Sequence, residues 1–114
     1  MINFWYKILS FFGSREYEKL GGAKRSSEWS RVRKENIKDY CEMCEKKGGL
    51  LNRLELHHIL PFNLRPDLEL SPQNFFTACR HCHLRFCHLN SFQSYEKDIK
   101  IEAEKWKIKR QNRP

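Results

Sequence analysis

Two Cys-x-x-Cys pairs constrain the fold of this chain more than any other feature. The first pair is Cys41 and Cys44, the second is Cys79 and Cys82, and 34 residues separate them. Each pair can hold one side of a tetrahedral site, and thiolate is the ligand that Zn²⁺ prefers in structural sites. The spacing therefore predicts that one zinc ion ties two distant parts of the chain together.

Two disulfide bonds are the competing interpretation of these cysteines. The chain holds five cysteines, and an odd number argues against a closed disulfide framework. The N-terminal segment does not resemble a cleavable secretory signal, because Lys7 interrupts its apolar stretch. We therefore expect metal ligation, one spare thiol and a cytoplasmic location.

The size and charge of the chain limit the number of domains it can form and the class of partner it can bind. Its 114 residues correspond to one domain, and with 39% hydrophobic residues the core is small enough to need a staple such as a metal. The net charge of +8 at pH 7 favours a polyanionic partner, most simply a nucleic acid. No stretch approaches the roughly 20 apolar residues that a transmembrane helix needs.

The sequence pattern divides the chain into three parts. Residues 1–22 hold apolar side chains at helical spacing and predict an amphipathic segment, which we expect to cover the domain's own core. Docking of a membrane or another protein through residues 2–12 is the less favoured alternative. Residues 23–108 form the main domain, and residues 109–114 form a basic tail that is expected to fray.

The main domain is expected to combine short strands with helices, which makes the fold class α+β. Three prolines in residues 61–73 predict an irregular loop between the strands. The predicted elements are a helix over residues 28–40, strands over residues 54–60 and 75–78, a helix over residues 80–92 and an amphipathic helix near residues 95–106.

Two adjacent histidines lie between the cysteine pairs, on the first predicted strand. Adjacent strand residues point to opposite faces, so His57 and His58 are expected to have different roles. One can bind a metal while the other stays free as a base. Asn74 comes sixteen residues after His58, and His83 follows Cys82 directly. A single histidine is usually structural, but this combination favours a catalytic site.

These motifs, taken in order, resemble a known family. The string C-x-x-C … L-x-L-H-H-I-x-P … N … C-x-x-C-H over residues 41–88 is similar to that of the HNH endonucleases of the ββα-metal (His-Me finger) superfamily, in the form that contains a zinc ribbon. The resemblance implies a small ββα-metal finger with a Cys₄ zinc knuckle, flanked by N- and C-terminal helices.

The resemblance also implies a role for each position of the motif. His58 matches the general base, and His57 and His83 match ligands of a catalytic divalent metal, which can be Mg²⁺, Mn²⁺, Ni²⁺ or Zn²⁺. Asn74 matches the asparagine that braces the loop and helps to orient the base, through a hydrogen bond to its ring. No small-molecule cofactor is implied. The implied ligands of the structural zinc are Cys41, Cys44, Cys79 and Cys82.

One departure from the family pattern concerns the catalytic metal. Many relatives have a second histidine four residues after the last ligand, whereas this chain has Cys87 there and His88 one residue further. At about 100° per residue, His88 lies about 140° around a regular α-helix from His83, which predicts that it does not reach the metal. Cys87 can ligate as a soft thiolate, but we expect a small buried residue. Glu55 is expected to be solvated and His81 to lie on the surface.

The function implied by the resemblance is a metal-dependent DNA endonuclease or nickase that leaves 5′-phosphate and 3′-hydroxyl ends. A zinc-stabilised nucleic-acid-binding module without cleavage activity is the alternative, and an adaptor docked through residues 2–12 is a third hypothesis. Binding to DNA phosphates predicts weak sequence preference and marked salt dependence. The candidate phosphate contacts are Arg80, Arg85, Arg31, Arg33 and Lys34.

Overall fold

The computed structural model describes residues 24–113. The amphipathic segment predicted for residues 1–22 lies outside the described residues. None of the helices in the described range is long and apolar enough to cross a membrane. The helices and strands of this range are α1 (Trp29–Asn36), β1 (Leu54–His58), β2 (Phe75–Cys79), α2 (Arg80–Cys82) and α3 (Ile99–Gln111). A π-helical turn (His83–Cys87) continues α2. Two 3₁₀ turns lie at Pro66–Leu68 and Pro72–Asn74.

The two strands pair antiparallel, which confirms the predicted α+β class. Leu54 lies opposite Cys79, and His57 lies opposite Phe76. This register places a zinc-type cysteine at one end of the strand pair and the adjacent histidines at the other. Because α2 follows β2 without a loop, the helix runs back along the sheet and carries His83 towards the histidines of β1.

A small core lies between the sheet, the cysteine knuckle (residues 41–53) and α3. Four of its ten buried residues are cysteines, so much of the interior consists of sulfur and not of hydrocarbon. Phe76, Met43 and Ile99 are the largest apolar side chains that are fully buried. Cys87 is also fully buried in this core, which confirms the expectation of a small buried residue and excludes it from the histidine site.

The first helix is shorter than predicted. It ends at Asn36, whose side-chain amide donates to the carbonyl of Val32 at 2.8 Å, and Ile37 is extended. The next residue, Lys38, donates its backbone N–H to Oγ1 of Thr77 on β2 at 3.0 Å. The chain therefore leaves the helix to join the sheet, and the predicted continuation to Tyr40 is wrong.

The last helix begins at Ile99 and not near residue 95 as predicted, and it extends beyond the predicted end into the basic tail that was expected to fray. It continues to Gln111, so residues 109–111 are helical. Arg110 pairs with Glu45 of the cysteine knuckle at 2.8 Å, and this contact ties the end of α3 to the domain. An exposed ion pair of this kind contributes about 0–1 kcal/mol, so it assists the packing of Ile99 and Ala103 and does not replace it.

Replacement of Phe76 by alanine should lower the free energy of unfolding by about 3–5 kcal/mol, because a fully buried ring leaves a cavity. Denaturation by urea, followed by circular dichroism at a fixed excess of zinc, measures the change. Ile108→Ala removes a side chain that is 49% exposed and should change stability by less than about 0.5 kcal/mol. Equal effects of the two substitutions would contradict the core described above.

Candidate metal centre and active site

Four cysteine sulfur atoms meet where the knuckle contacts β2 and α2. The Sγ atoms of Cys41, Cys44, Cys79 and Cys82 all lie within 4.8 Å of one another. The Sγ atoms of Cys44 and Cys79 are 4.0 Å apart, close to the roughly 3.8 Å expected between ligands of a tetrahedral ion with 2.3 Å bonds. No disulfide joins them. The cluster fits a structural zinc site without an open position.

One of the four cysteines, Cys41, already favours the thiolate form before any metal binds. The hydrogen bond from Cys82 lowers the pKa of Cys41 to about 4 and raises the pKa of Cys82, because the pair shares one proton. The backbone N–H of Cys44 also donates to Sγ of Cys41 at 3.4 Å. Metal binding must displace the remaining thiol protons, so zinc affinity should rise with pH.

A second cluster contains three histidines and lies at the other end of the strand pair. Nδ1 of His57 lies 3.0 Å from Nε2 of His83, and Nε2 of His88 lies 3.1 Å from that same His83 atom. All three ligand nitrogens lie within 4.8 Å of one another. The structure thus brings the two predicted metal-binding histidines together and adds a third.

The place of His88 corrects the sequence prediction. Residues His83–Cys87 form a π-helical turn, and the backbone N–H of His88 donates to the carbonyl of His83, five residues earlier, at 3.1 Å. A residue five positions on therefore returns to the same face of the helix, which a regular α-helix does not allow. The prediction failed because it assumed α-helical spacing. The one signal in the sequence was a spacing one residue longer than that of the family.

The outer nitrogens of two histidines fix where their protons are. Nδ1 of His88 lies 2.8 Å from the carbonyl oxygen of Ser94, and Nδ1 of His83 lies 3.2 Å from Oε1 of Glu55. Both oxygens are acceptors, so both Nδ1 atoms carry the proton. The two Nε2 atoms then present lone pairs to each other at 3.1 Å. These lone pairs repel unless a positive charge lies between them.

A metal ion fits this position better than a proton does. Burial lowers the pKa of His88 to about 4 and holds the pKa of His57 well below its ordinary value. At neutral pH His57 and His88 are therefore neutral. Neutral imidazoles whose second nitrogen is held by a carboxylate or a carbonyl are a common arrangement of metal ligands. The prediction that Glu55 is merely solvated is wrong, since it orients His83.

His58 faces away from the three-histidine cluster and is held in one tautomer. Its Nε2 lies 2.8 Å from the carbonyl oxygen of Glu69, which can only accept, so Nε2 carries the proton and Nδ1 is left with a lone pair. Its ring stacks on Trp29 with 4.5 Å between centroids. Burial, and then the charge of Arg25, lowers the pKa of His58. His58 is therefore neutral at pH 7.

Asn74 braces the loop but does not orient the base directly. Its side chain accepts from the backbone N–H of Leu60 at 2.8 Å and donates to the carbonyl of Leu60 at 3.0 Å. The predicted hydrogen bond to the ring of His58 is wrong, because that ring bonds to the carbonyl of Glu69. Asn74 is buried and holds the chain directly after the histidine pair.

An open cleft of about 390 Å³ joins the two histidine sites. Arg33, a predicted phosphate contact, lines this cleft, and so do Arg25 and Arg53, which were not predicted. Arg25 lies over the ring of Phe62, with 4.2 Å from its guanidinium carbon to the centroid, and pairs with Glu69 at 3.4 Å. No local motif marks these two arginines, because only tertiary contacts bring them to the cleft.

The other predicted phosphate contacts lie outside the lining of this cleft. Arg31 is held by Glu28 at 2.6 Å and by Glu35 at 3.1 Å on an exposed face of α1, so its charge is already neutralised. Lys34 and Arg80 are exposed. Arg85 is also exposed and lies over the ring of Phe86. These three can meet only DNA that extends beyond the cleft.

Replacement of His88 by alanine should weaken binding of Zn²⁺ or Ni²⁺ at the histidine cluster by at least about 100-fold, since loss of a ligand exceeds the effect of losing an outer contact. Isothermal titration of protein that already contains one equivalent of zinc measures this affinity. His81→Ala, an exposed residue between two zinc-type cysteines, is the matched control and should bind as wild type does. Unchanged affinity in His88→Ala would show that the π-helical turn does not build the site.

Comparison with known proteins agrees with this geometry. Residues 41–86 match the family model described as HNH endonuclease. The match covers less than half of the 114-residue chain. It includes all four zinc-type cysteines, the histidine pair, Asn74 and His83, but ends before His88. Comparisons with curated proteins and with solved structures give no significant match. The comparison therefore shows that the segment holding both candidate sites, residues 41–86, is similar to the HNH endonuclease family.

Proposed function

We propose that this protein is a metal-dependent DNA endonuclease or nickase. Its reaction would be hydrolysis of a phosphodiester bond to give 5′-phosphate and 3′-hydroxyl ends. The observation that carries the proposal is the shared cleft: a neutral histidine with a free lone pair lies in the same cleft as three histidines that fit a cation. We also propose that the protein acts in the cytoplasm, where its thiols stay reduced.

Three arginines give the cleft the charge that a nucleic-acid backbone requires. Arg25, Arg33 and Arg53 line the cleft beside the histidines, and the chain carries a net charge of +8. Arginine binds phosphate through a planar, bidentate fork, so these side chains can hold a strand in one orientation. The contacts would recognise the backbone and not the bases, which predicts weak sequence preference.

His58 is suited to take the proton from an attacking water molecule. Its proton sits on Nε2, against Glu69, so the lone pair of Nδ1 is available as a general base. Trp29 packs on the ring and leaves it little freedom to rotate away. The lowered pKa keeps the ring unprotonated at neutral pH. Asn74 contributes indirectly, because it fixes the backbone at Leu60, two residues beyond the base.

His57, His83 and His88 would hold the divalent metal. When bound, such an ion supplies Lewis-acid chemistry: it neutralises charge on the phosphate and stabilises the leaving oxygen. Glu55 and Ser94 keep the Nε2 lone pairs of His83 and His88 aimed at the centre. Three imidazoles and no thiol form a donor set that favours Zn²⁺ or Ni²⁺ over Mg²⁺. Cys87 does not contribute, since it is buried in the core.

A zinc-stabilised module that binds nucleic acid without cutting it is the second candidate. The basic charge supports both candidates equally. The site favours cleavage, because a binding module needs neither a histidine with a free lone pair nor a second cation site beside it. Cleavage assays therefore separate the two, whereas binding assays do not.

Replacement of His58 by alanine should reduce the rate of plasmid nicking about 10²- to 10⁴-fold, the usual contribution of a general base. Gel assays at low salt, with Zn²⁺, Ni²⁺, Mn²⁺ or Mg²⁺ added in separate reactions, measure the rate. His81→Ala serves as the control for loss of a histidine on the surface and should cut as wild type does.

The same assay distinguishes the two candidates. Relaxation of the plasmid by wild type plus metal, together with a slow His58→Ala variant, supports the endonuclease. If wild type retains its structural zinc and binds the plasmid yet nicks it with none of the four metals, the binding module replaces the endonuclease.

The rate of cleavage should fall on the acid side at a pH below 6.5, because the base works only when unprotonated and the pKa of His58 is lowered from that value. The charge of Arg25 contributes to this lowering, so Arg25→Gln should raise the pKa of His58 and move the acid limb to higher pH.

The pH dependence of kcat/KM at constant ionic strength and saturating metal measures this shift. Lys34→Gln removes an equal charge from the exposed surface and should not change the pH at which kcat/KM falls on the acid side. An identical acid limb in wild type and in Arg25→Gln would argue against His58 as the titrating base.

A further inference from the structure

A tight turn in the cysteine knuckle presents two adjacent leucines to solvent. Gly49 and Asn52 exchange backbone hydrogen bonds of 3.0 and 3.1 Å, which close a two-residue loop around Leu50 and Leu51. The amide of Asn52 also donates to the carbonyl of Lys47 at 2.8 Å. Leu50 is 102% exposed and Leu51 is 100% exposed. The turn is therefore well braced, while its two central side chains contact nothing in the described residues.

Neither backbone geometry nor packing explains leucine at these two positions. Two-residue turns between paired segments favour glycine, asparagine and aspartate. A fully exposed leucine adds nothing to the core and leaves apolar surface in water. Single exposed leucines are ordinary, but two in succession at the tip of a braced turn form a protruding apolar edge. That edge suits insertion into an apolar environment.

The surroundings of the turn indicate which environment this is. Lys46 and Lys47 precede it, and Arg53 follows it. Arg53 lines the cleft that holds the histidine sites, so the turn leads directly into that cleft. Two leucines offer far less area than the roughly 800 Å² per partner of a stable protein interface. An apolar tip flanked by cations matches instead the side chains that enter a base step while neighbouring cations meet phosphates.

We propose that Leu50 and Leu51 form a wedge that inserts between base pairs of the DNA held in the cleft. The proposal rests on the proposed function, because it takes its ligand to be DNA. Leu51 lies six positions before His57, so their Cα atoms are at most about 20 Å apart along an extended chain. At 3.4 Å per base step, this span corresponds to about six steps, and the reach of the two side chains adds a few more.

The test uses duplexes with 2-aminopurine at successive positions, because its fluorescence rises when a base loses its stacking. The full chain carries His58→Ala so that the DNA stays uncut. Because the proposed contacts do not fix one register, binding should raise the fluorescence at every interior position tested and leave it unchanged at positions near the duplex ends. In Leu50→Ser/Leu51→Ser this rise should disappear and affinity should fall roughly tenfold, the scale set by losing the inserted apolar contact.

Three controls keep this result specific. Ile101→Ser/Ile108→Ser removes two exposed apolar side chains from α3 and should alter neither the fluorescence nor the affinity. The dependence of affinity on salt should be the same in the leucine variant and its parent, because Lys46, Lys47 and Arg53 remain. Circular dichroism of the leucine variant should match that of its parent, since neither side chain is packed.

The outcomes separate failure of the wedge from failure of the proposed function. If wild type nicks plasmid but neither affinity nor fluorescence changes in Leu50→Ser/Leu51→Ser, the wedge is overturned and the endonuclease stands. If the parent does not bind DNA, both proposals fail. Vesicles of phosphatidylcholine and phosphatidylserine form a third arm: loss of vesicle binding in the leucine variant, with an unchanged DNA signal, would assign the turn to a lipid surface and overturn the wedge.

Discussion

The sulfur cluster is the constraint on which the rest of the structure depends. It joins the knuckle to the end of β2 and the start of α2, across the 34 residues that separate the two cysteine pairs, and the apolar core around it is small. We therefore expect zinc binding and folding to be coupled in this chain. The sulfur cluster also fixes the position of the histidine cluster, because Cys82 directly precedes His83.

The π-helical turn allows two consecutive residues of the same short helix to face different clusters. Cys87 faces the core and His88 faces the three-histidine cluster. The two residues are consecutive, and a regular helix would place His88 away from His83. The wider turn allows both. Its hydrogen bond from His88 to the carbonyl of His83 therefore serves packing and ligation together.

Sequence alone predicted the parts of this molecule that depend on local spacing. The cysteine pairs and the two strands follow from local patterns, whereas the closeness of His57 to His83 was implied by the resemblance to the HNH endonucleases. The contributions of Arg25 and Glu55 could not be predicted, because each depends on a partner on another element. The prediction for Asn74 failed for a related reason: a backbone carbonyl carries no residue signature, so a side chain was credited with its hydrogen bond.

That backbone carbonyl has a consequence for how this site would look in mutational data. Glu69 sets the tautomer of His58 with its main-chain oxygen, while its carboxylate accepts from the N–H of Ser26 at 3.0 Å. Every substitution at position 69 keeps the oxygen, so alanine scanning would report the loss of the carboxylate, which anchors the chain before α1 and pairs with Arg25, and not the loss of the carbonyl. Replacement of the peptide bond after Glu69 by an ester, which weakens that carbonyl as an acceptor, is the chemical change that would reveal its influence on the base.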